Sequence, residues 1–157
     1  VKAFTQTLID QGEGHIVNTA SIAGLINAPN MGAYNVTKHG VVALSETLHS
    51  ELRNEPSEVG VSVLCPSFVQ SQIYDTTRYE ETKPTDDDHA SVEMAAEFYK
   101  TAMSAEAAAD MVMNAIKTKQ FYVITHKNSN RNIEHRFNAL INRGDPDISG
   151  PEEFPVE

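Results

Sequence analysis

The sequence predicts an α/β fold, a parallel sheet with helical crossovers. Three short runs rich in β-branched and apolar residues, HIVNTAS, GVSVLCP and FYVIT, have the length and composition of buried strands. Between and around them, apolar residues recur at helical spacing. Strands alternating with helices in this way define a parallel sheet.

The chain opens on a helix over 1–11, with Val1, Phe4, Leu8 and Ile9 on one period and Gly12 and Gly14 as stops. The first strand follows at 15–20. Residues 22–32 form a loop by composition, with Gly24, Asn27, Pro29, Asn30 and Gly32. A long helix over 33–54 places Val36, Gly40, Val41, Ala43, Leu44, Leu48 and Leu52 on one broad face, and Pro56 ends it. The second strand closes at Pro66. Residues 70–90 are polar and acidic. SVEMAAEFYKTAM and SAEAAADMVMNAIKTK read as two helices, the second capped by Ser104. FYVIT is the third strand, NRNIEHRFNALIN a last helix, and 144–157 a loose tail.

A chain of 157 residues holds one domain with a real core. Net charge of −10 argues against a nucleic-acid partner, which needs a basic footprint, and against docking on anionic lipid. No apolar run has the length of a membrane span and no signal peptide is visible, so the expectation is a cytoplasmic protein. The one cysteine, Cys65, sits in an apolar run and reads as a small buried hydrophobe. Six histidines show no metal-ligand spacing, and DDDH at 86–89 is adjacent rather than preorganised, so no metal is expected. Asn18 reads as a tie from strand to loop. Met94, Met103, Met111 and Met113 read as core or lid lining, and Arg131 and Arg136 as partners of local acids.

The stretch NTASIAGLINAPNMGAYNVTK carries the chemistry. Ser21 lies at the C-terminal end of the first strand, and Pro66 to Ser71 lie just past the end of the second. Ligands of open parallel sheets bind outside those strand ends. Tyr34 and Lys38 stand four apart at the start of a helix, so their side chains are neighbours. An ammonium one turn from a phenol favours the phenolate. With Ser21 as a hydroxyl donor, the trio suits general acid/base work on an alcohol or carbonyl oxygen, with a hydride carrier supplied from outside the polypeptide. Spacing alone is weak: Tyr79 and Lys83 also stand four apart, in the acidic segment, and read as a solvated pair.

Read together, GHIVNTASIAGL, AYNVTKHGVVALSETLHSEL and GVSVLCPSFVQSQI resemble the second half of a short-chain dehydrogenase/reductase, over roughly residues 1–143. The resemblance implies a Rossmann-like sheet whose N-terminal half is absent from this chain. It implies an NAD(P)-dependent oxidoreductase that interconverts an alcohol and a carbonyl, with NAD or NADP as cofactor. Tyr34 would be the acid/base. Lys38 would assist it and hold the nicotinamide ribose. Ser21 would polarise the substrate oxygen. Pro66, Ser67, Val69 and Ser71 would line the nicotinamide, with Ser67 in place of the usual Gly. Residues 70–103 would be the substrate lid. Related enzymes associate through helices equivalent to 1–11 and 33–54, which implies a homo-oligomer. No Gly-rich turn follows a strand here to hold a diphosphate, and the first strand is expected to be an open apolar edge. The isolated chain is therefore expected to be inactive. The alternative is a non-catalytic remnant acting as a binding or assembly module. A hydrolase using Ser21 is disfavoured because no Gly-x-Ser-x-Gly elbow surrounds it.

Overall fold

A computed structural model of the chain describes residues 1, 3–72, 96–97 and 99–146. The Tyr79–Lys83 pair, DDDH, residues 91–95 (with Met94) and 98 of the expected 91–103 helix, and the end of the tail lie outside the described residues. The chain divides into two compact units, one formed by Val1–Ser67 with the chain from Asp110 onward, the other around Phe68–Ala109.

In the first unit the order is α1 (Thr5–Gln11), β1 (Glu13–Thr19), a single 3₁₀ turn (Ile22–Gly24), α2 (Gly32–Leu52) and β2 (Glu58–Cys65). Helix α3 (Ala105–Thr118) begins in the second unit and ends in the first, and β3 (Tyr122–Ile124) and α4 (Ser129–Ile141) follow it. The three strands form one parallel sheet, ordered β1-β2-β3, with Glu13 opposite Glu58 and Val63 opposite Tyr122. Among the described residues β1 therefore has one unpaired edge. The α/β reading of the sequence is correct.

The first helix ends at Gln11 as expected but starts at Thr5, and the first strand runs over Glu13–Thr19 rather than 15–20. Val1 precedes the helix and accepts the Thr5 amide. Strand pairing starts two residues early, because pairing uses the backbone: Glu58 N–H donates to the Gly12 carbonyl at 2.8 Å, and Gly14 lies inside β1 at φ +151°. Gly12, at φ +87°, ends α1 with its N–H on the Leu8 and Ile9 carbonyls.

The two hydrophobic clusters lie on one face of the sheet, and Val123, opposite Leu64, is buried on the other. Leu48 and Leu52 of α2 meet Val59 and Val61 of β2, with Leu8, Ile9 and Ile16 around them. Nearer the strand ends, Val42 meets Ala20, Leu25, Val63 and Cys65, and Ile133 of α4 packs on that group. Each such side chain, fully buried, contributes roughly 1.5–3 kcal/mol. The single broad face expected for α2 splits in two. Val42, Ser45, Leu48 and Leu52 are buried, whereas Val36 and Leu44 are 75% and 53% exposed. Asn18 is also corrected: its Nδ2 donates to Ser45 Oγ at 3.0 Å, so it joins strand to helix rather than strand to loop. Cys65 is fully buried, as its apolar context predicts, and loss of solvation pushes its thiol up to about 11.

On the other face His15 lies over Gly60, and its Nε2 meets Ser62 Oγ at 2.7 Å. Ser62 in turn donates to the Gln120 carbonyl at 2.6 Å.

In the second unit Ser104 Oγ accepts the Ala107 amide at 3.1 Å, which is the cap its position predicts for α3. Met113 of α3 is exposed rather than in a core.

Candidate active site

Residues at the carboxyl ends of β1 and β2 are joined by backbone contacts. Ala20 N–H donates to the Leu64 carbonyl and Ile22 N–H to the Pro66 carbonyl, both at 2.8 Å. Ser21 sits between them, 8% exposed. It caps the 3₁₀ turn, with Oγ accepting the Ala23 amide at 3.2 Å. Its hydrogen reaches the Pro66 carbonyl at 3.5 Å, the outer limit of a bond. The hydroxyl is thus held by its oxygen while its hydrogen is weakly engaged.

The 3₁₀ turn presses on α2 at Lys38. A Cβ added to Gly24 would stand 2.7 Å from the Lys38 carbonyl oxygen and 2.9 Å from Val42 Cγ2. Gly24 is therefore present for close approach. Lys38 is half-buried, and its Nζ donates to the Thr19 carbonyl at 3.4 Å and lies 5.7 Å from the centre of the Tyr34 ring. That separation permits a cation–π attraction. Lys38 thus spans from the end of β1 to the Tyr34 ring.

Among the described residues Lys38 has no carboxylate partner and the Tyr34 hydroxyl has no hydrogen-bond partner. Tyr34 is 38% exposed. A half-buried ammonium with unused hydrogens beside an unengaged phenol is a donor set that fits vicinal hydroxyls such as those of a nucleotide ribose. Tyr122 contrasts with it. Its hydroxyl donates to Glu46 Oε1 at 2.6 Å, and lost solvation together with that carboxylate pushes its phenol up to about 12.

Of the other residues singled out in the sequence, Pro66 and Ser67 follow β2 in the first unit, and Val69 and Ser71 belong to the second. Val69 pairs with Met103, and Gln70 is fixed by its N–H on the Met103 carbonyl and its Nε2 on the Lys100 and Ala102 carbonyls. A cavity of about 340 Å³ in that unit is lined by Gln70, Ser71, Ala96, Tyr99 and Lys100.

Several supporting residues escape a reading of the sequence. Asn35 is buried, and its Nδ2 donates to the Ala28 carbonyl at 3.2 Å, tying the loop to the first turn of α2. Arg136 does not pair with an acid among the described residues. Its Nη1 donates to the Leu25 carbonyl at 2.7 Å, holding the loop from α4. Thr125, buried at the end of β3, accepts the Ser67 amide at 3.1 Å. The only sequence signal for Thr125 is a polar residue closing an apolar strand.

Comparison with known proteins places the chain in a family. The family model described as short chain dehydrogenase matches residues 1–82. A CLA biosynthesis dehydrogenase/reductase of Lactiplantibacillus plantarum is 30% identical over 142 residues, 85% of this chain and 50% of the relative. A 1-deoxy-11-beta-hydroxypentalenate dehydrogenase of Streptomyces avermitilis is 30% identical over 140 residues, 88% of this chain and 46% of its own. The crystal structure of a short chain dehydrogenase/reductase from Burkholderia phymatum in complex with NAD is 35% identical. It superposes with a TM-score of 0.81 over 98% of this chain and 57% of its own. The chain belongs to the short-chain dehydrogenase family, and it spans about half the length of the curated relatives it matches.

Proposed function

We propose that the full-length protein bearing this chain is an NAD(P)-dependent oxidoreductase that interconverts an alcohol and a carbonyl. The observation that carries the reading is the placement of Lys38 between the Thr19 carbonyl and the ring of a Tyr34 whose hydroxyl is unengaged among the described residues. Family membership and the NAD complex of the Burkholderia phymatum relative support it.

In this reading, Tyr34 takes the hydroxyl proton of an alcohol substrate, or returns it to a carbonyl oxygen in the reverse direction. Lys38 holds its ammonium beside the ring and offers its remaining hydrogens to ribose hydroxyls. Ser21 turns its weakly held hydrogen to the substrate oxygen, where charge develops. The bound nicotinamide would supply the hydride acceptor or donor that no protein side chain provides. Pro66 and Ser67, just past β2, would line the nicotinamide, and the catalytic part would run over 1–143.

We also propose a second copy of the chain as partner. Val36 and Leu44 are exposed on α2 with Gly40 between them at i, i+4, i+8 spacing, and Phe4 ahead of α1 is 70% exposed. These exposed apolar side chains are the surface proposed for that contact. The 157 residues by themselves would not turn over substrate, because no diphosphate-binding Gly-rich turn occurs in them and proximity is worth roughly 7–11 kcal/mol of such a barrier.

The test is to titrate the full-length protein with NADH and NADPH and to assay a panel of alcohols and ketones. Binding of one of the two and turnover of some substrate are expected. Neither binding nor turnover would favour the non-catalytic binding or assembly module instead.

A further inference from the structure

We propose that Thr125 is a positioning residue for Ser21, acting through the Pro66–Ser67 peptide group. This rests on the oxidoreductase reading above and adds a residue to it. One planar peptide unit links the ends of all three strands. Its carbonyl, from Pro66, accepts the Ile22 amide at 2.8 Å and faces Ser21 Oγ at 3.5 Å. Its N–H, from Ser67, donates to Thr125 Oγ1 at 3.1 Å. The carbonyl and the N–H of a peptide turn together as one rigid plane. Whatever fixes the Ser67 N–H therefore fixes the acceptor that Ser21 faces.

Thr125 is suited to this task. It is 5% exposed, so its side chain is shielded from solvent. Its hydroxyl oxygen takes the Ser67 N–H, and the same oxygen stands 2.7 Å from His126 Nδ1. Burial lowers the pKa of His126, favouring the neutral ring. With Nδ1 unprotonated, the hydroxyl hydrogen goes to the imidazole and a lone pair is left aimed at Ser67. The order is then His126 Nδ1, Thr125 hydroxyl, Ser67 N–H, Pro66 carbonyl, Ser21 hydroxyl.

The length of the last contact gives the arrangement its use. At 3.5 Å the Pro66 carbonyl competes weakly for the Ser21 hydrogen, leaving it free for a substrate oxygen. If the Thr125 bond is lost, the peptide can tilt. The carbonyl can then close on Ser21 and capture that hydrogen. The predicted defect lies in turnover more than in substrate or nucleotide binding.

The experiment uses the full-length protein with Thr125→Val, which removes the hydroxyl at nearly constant volume, Thr125→Ser, which keeps it, and Ser21→Ala alone and combined with Thr125→Val. Thr125→Val should lower kcat about five- to tenfold, the worth of one hydrogen bond. KM and the NADH dissociation constant, read by nicotinamide fluorescence, should stay within about twofold, a shift well under the tenfold that 1.4 kcal/mol represents. Thr125→Ser should restore kcat. In the Ser21→Ala background Thr125→Val should cost nothing further, because the two act on one group. A fourth readout needs no cofactor: hydrogen exchange at the Ser67 amide should be slow in the unmodified protein and in Thr125→Ser, and faster in Thr125→Val. Fully additive losses, an unchanged kcat, or an unprotected Ser67 amide in the unmodified protein would each overturn the proposal. The last holds even if Thr125→Val does not fold. An unmodified protein that neither binds NADH or NADPH nor turns over, yet protects Ser67, would instead remove the oxidoreductase reading.

Discussion

Replacing Gly24 by alanine should loosen the site from its foundation. Gly24 lies in the 3₁₀ turn just after Ser21, and its role is contact, since its φ is not in the left-handed region. The added methyl would stand 2.7 Å from the Lys38 carbonyl oxygen, 3.0 Å from the Lys38 carbonyl carbon and 2.9 Å from Val42 Cγ2. Two of these are backbone atoms of α2, which cannot rotate aside, so turn and helix must separate by most of an ångström. Overpacking of this kind costs roughly 1–3 kcal/mol. The alanine regains only about 0.4–1 kcal/mol through a less flexible unfolded chain. The net expectation is a loss of about 1–2 kcal/mol, from the same balance. Gly32→Ala is the control. Gly32 is helical and has open space where its Cβ would be, so the chain-entropy gain should appear alone, as about 0.4–1 kcal/mol of added stability. Urea denaturation of both variants, with slopes checked for constancy, reads the difference. A Gly24→Ala variant as stable as the unmodified protein would show that the turn does not bear on α2 as described.

Three further expectations follow from other contacts. Gly60→Ala would drive a methyl into the His15 ring and break its 2.7 Å bond to Ser62, so stability should fall by about 1–3 kcal/mol, with partial recovery in a His15→Ala background. His15 and His126 both have pKa values lowered by burial, with Lys119 adding to the effect at His15. Their neutral forms are favoured in the fold. Stability should therefore be full above the ordinary imidazole value of about 6.5 and decline as pH falls below it, and His15→Gln with His126→Gln should flatten that decline in denaturation midpoints between about pH 7.5 and 5.5. Cys65, its thiol raised to about 11 and fully buried, should react with a thiol reagent at pH 8 only as fast as the protein unfolds; rapid labelling of the folded protein would contradict its placement.

What the sequence revealed follows the range of the interactions involved. The strands around Ile16, Val61 and Val123 are legible because short β-branched and apolar runs carry a local signal. Tyr34 and Lys38 are legible because their spacing is helical. Val36 and Leu44 misled because hydrophobic periodicity marks an apolar face without stating whether a sheet or the outside lies against it. The ties that hold the site were invisible for a different reason. Asn18 and Ser45 are 27 residues apart, Ser67 and Thr125 58, Leu25 and Arg136 111. Such bonds depend on which strand ends adjoin, and a polar residue closing an apolar strand looks the same in sequence whether or not it has a partner. The early start of β1 at Glu13 was missed because pairing through backbone groups leaves no side-chain pattern.

The most direct measurement of the central claim is turnover by full-length protein carrying Tyr34→Phe, beside the unmodified protein, with the nicotinamide cofactor it binds and its best alcohol or ketone substrate. Removing one hydroxyl that has no hydrogen-bond partner among the described residues should leave the fold and the cofactor dissociation constant nearly unchanged. It should lower kcat by about 10²–10⁴, the usual contribution of a positioned general acid/base. A Tyr34→Phe protein that binds the cofactor and turns over at the unmodified rate would show that the proton is moved by some other group and that Tyr34 and Lys38 are neighbours without a shared task.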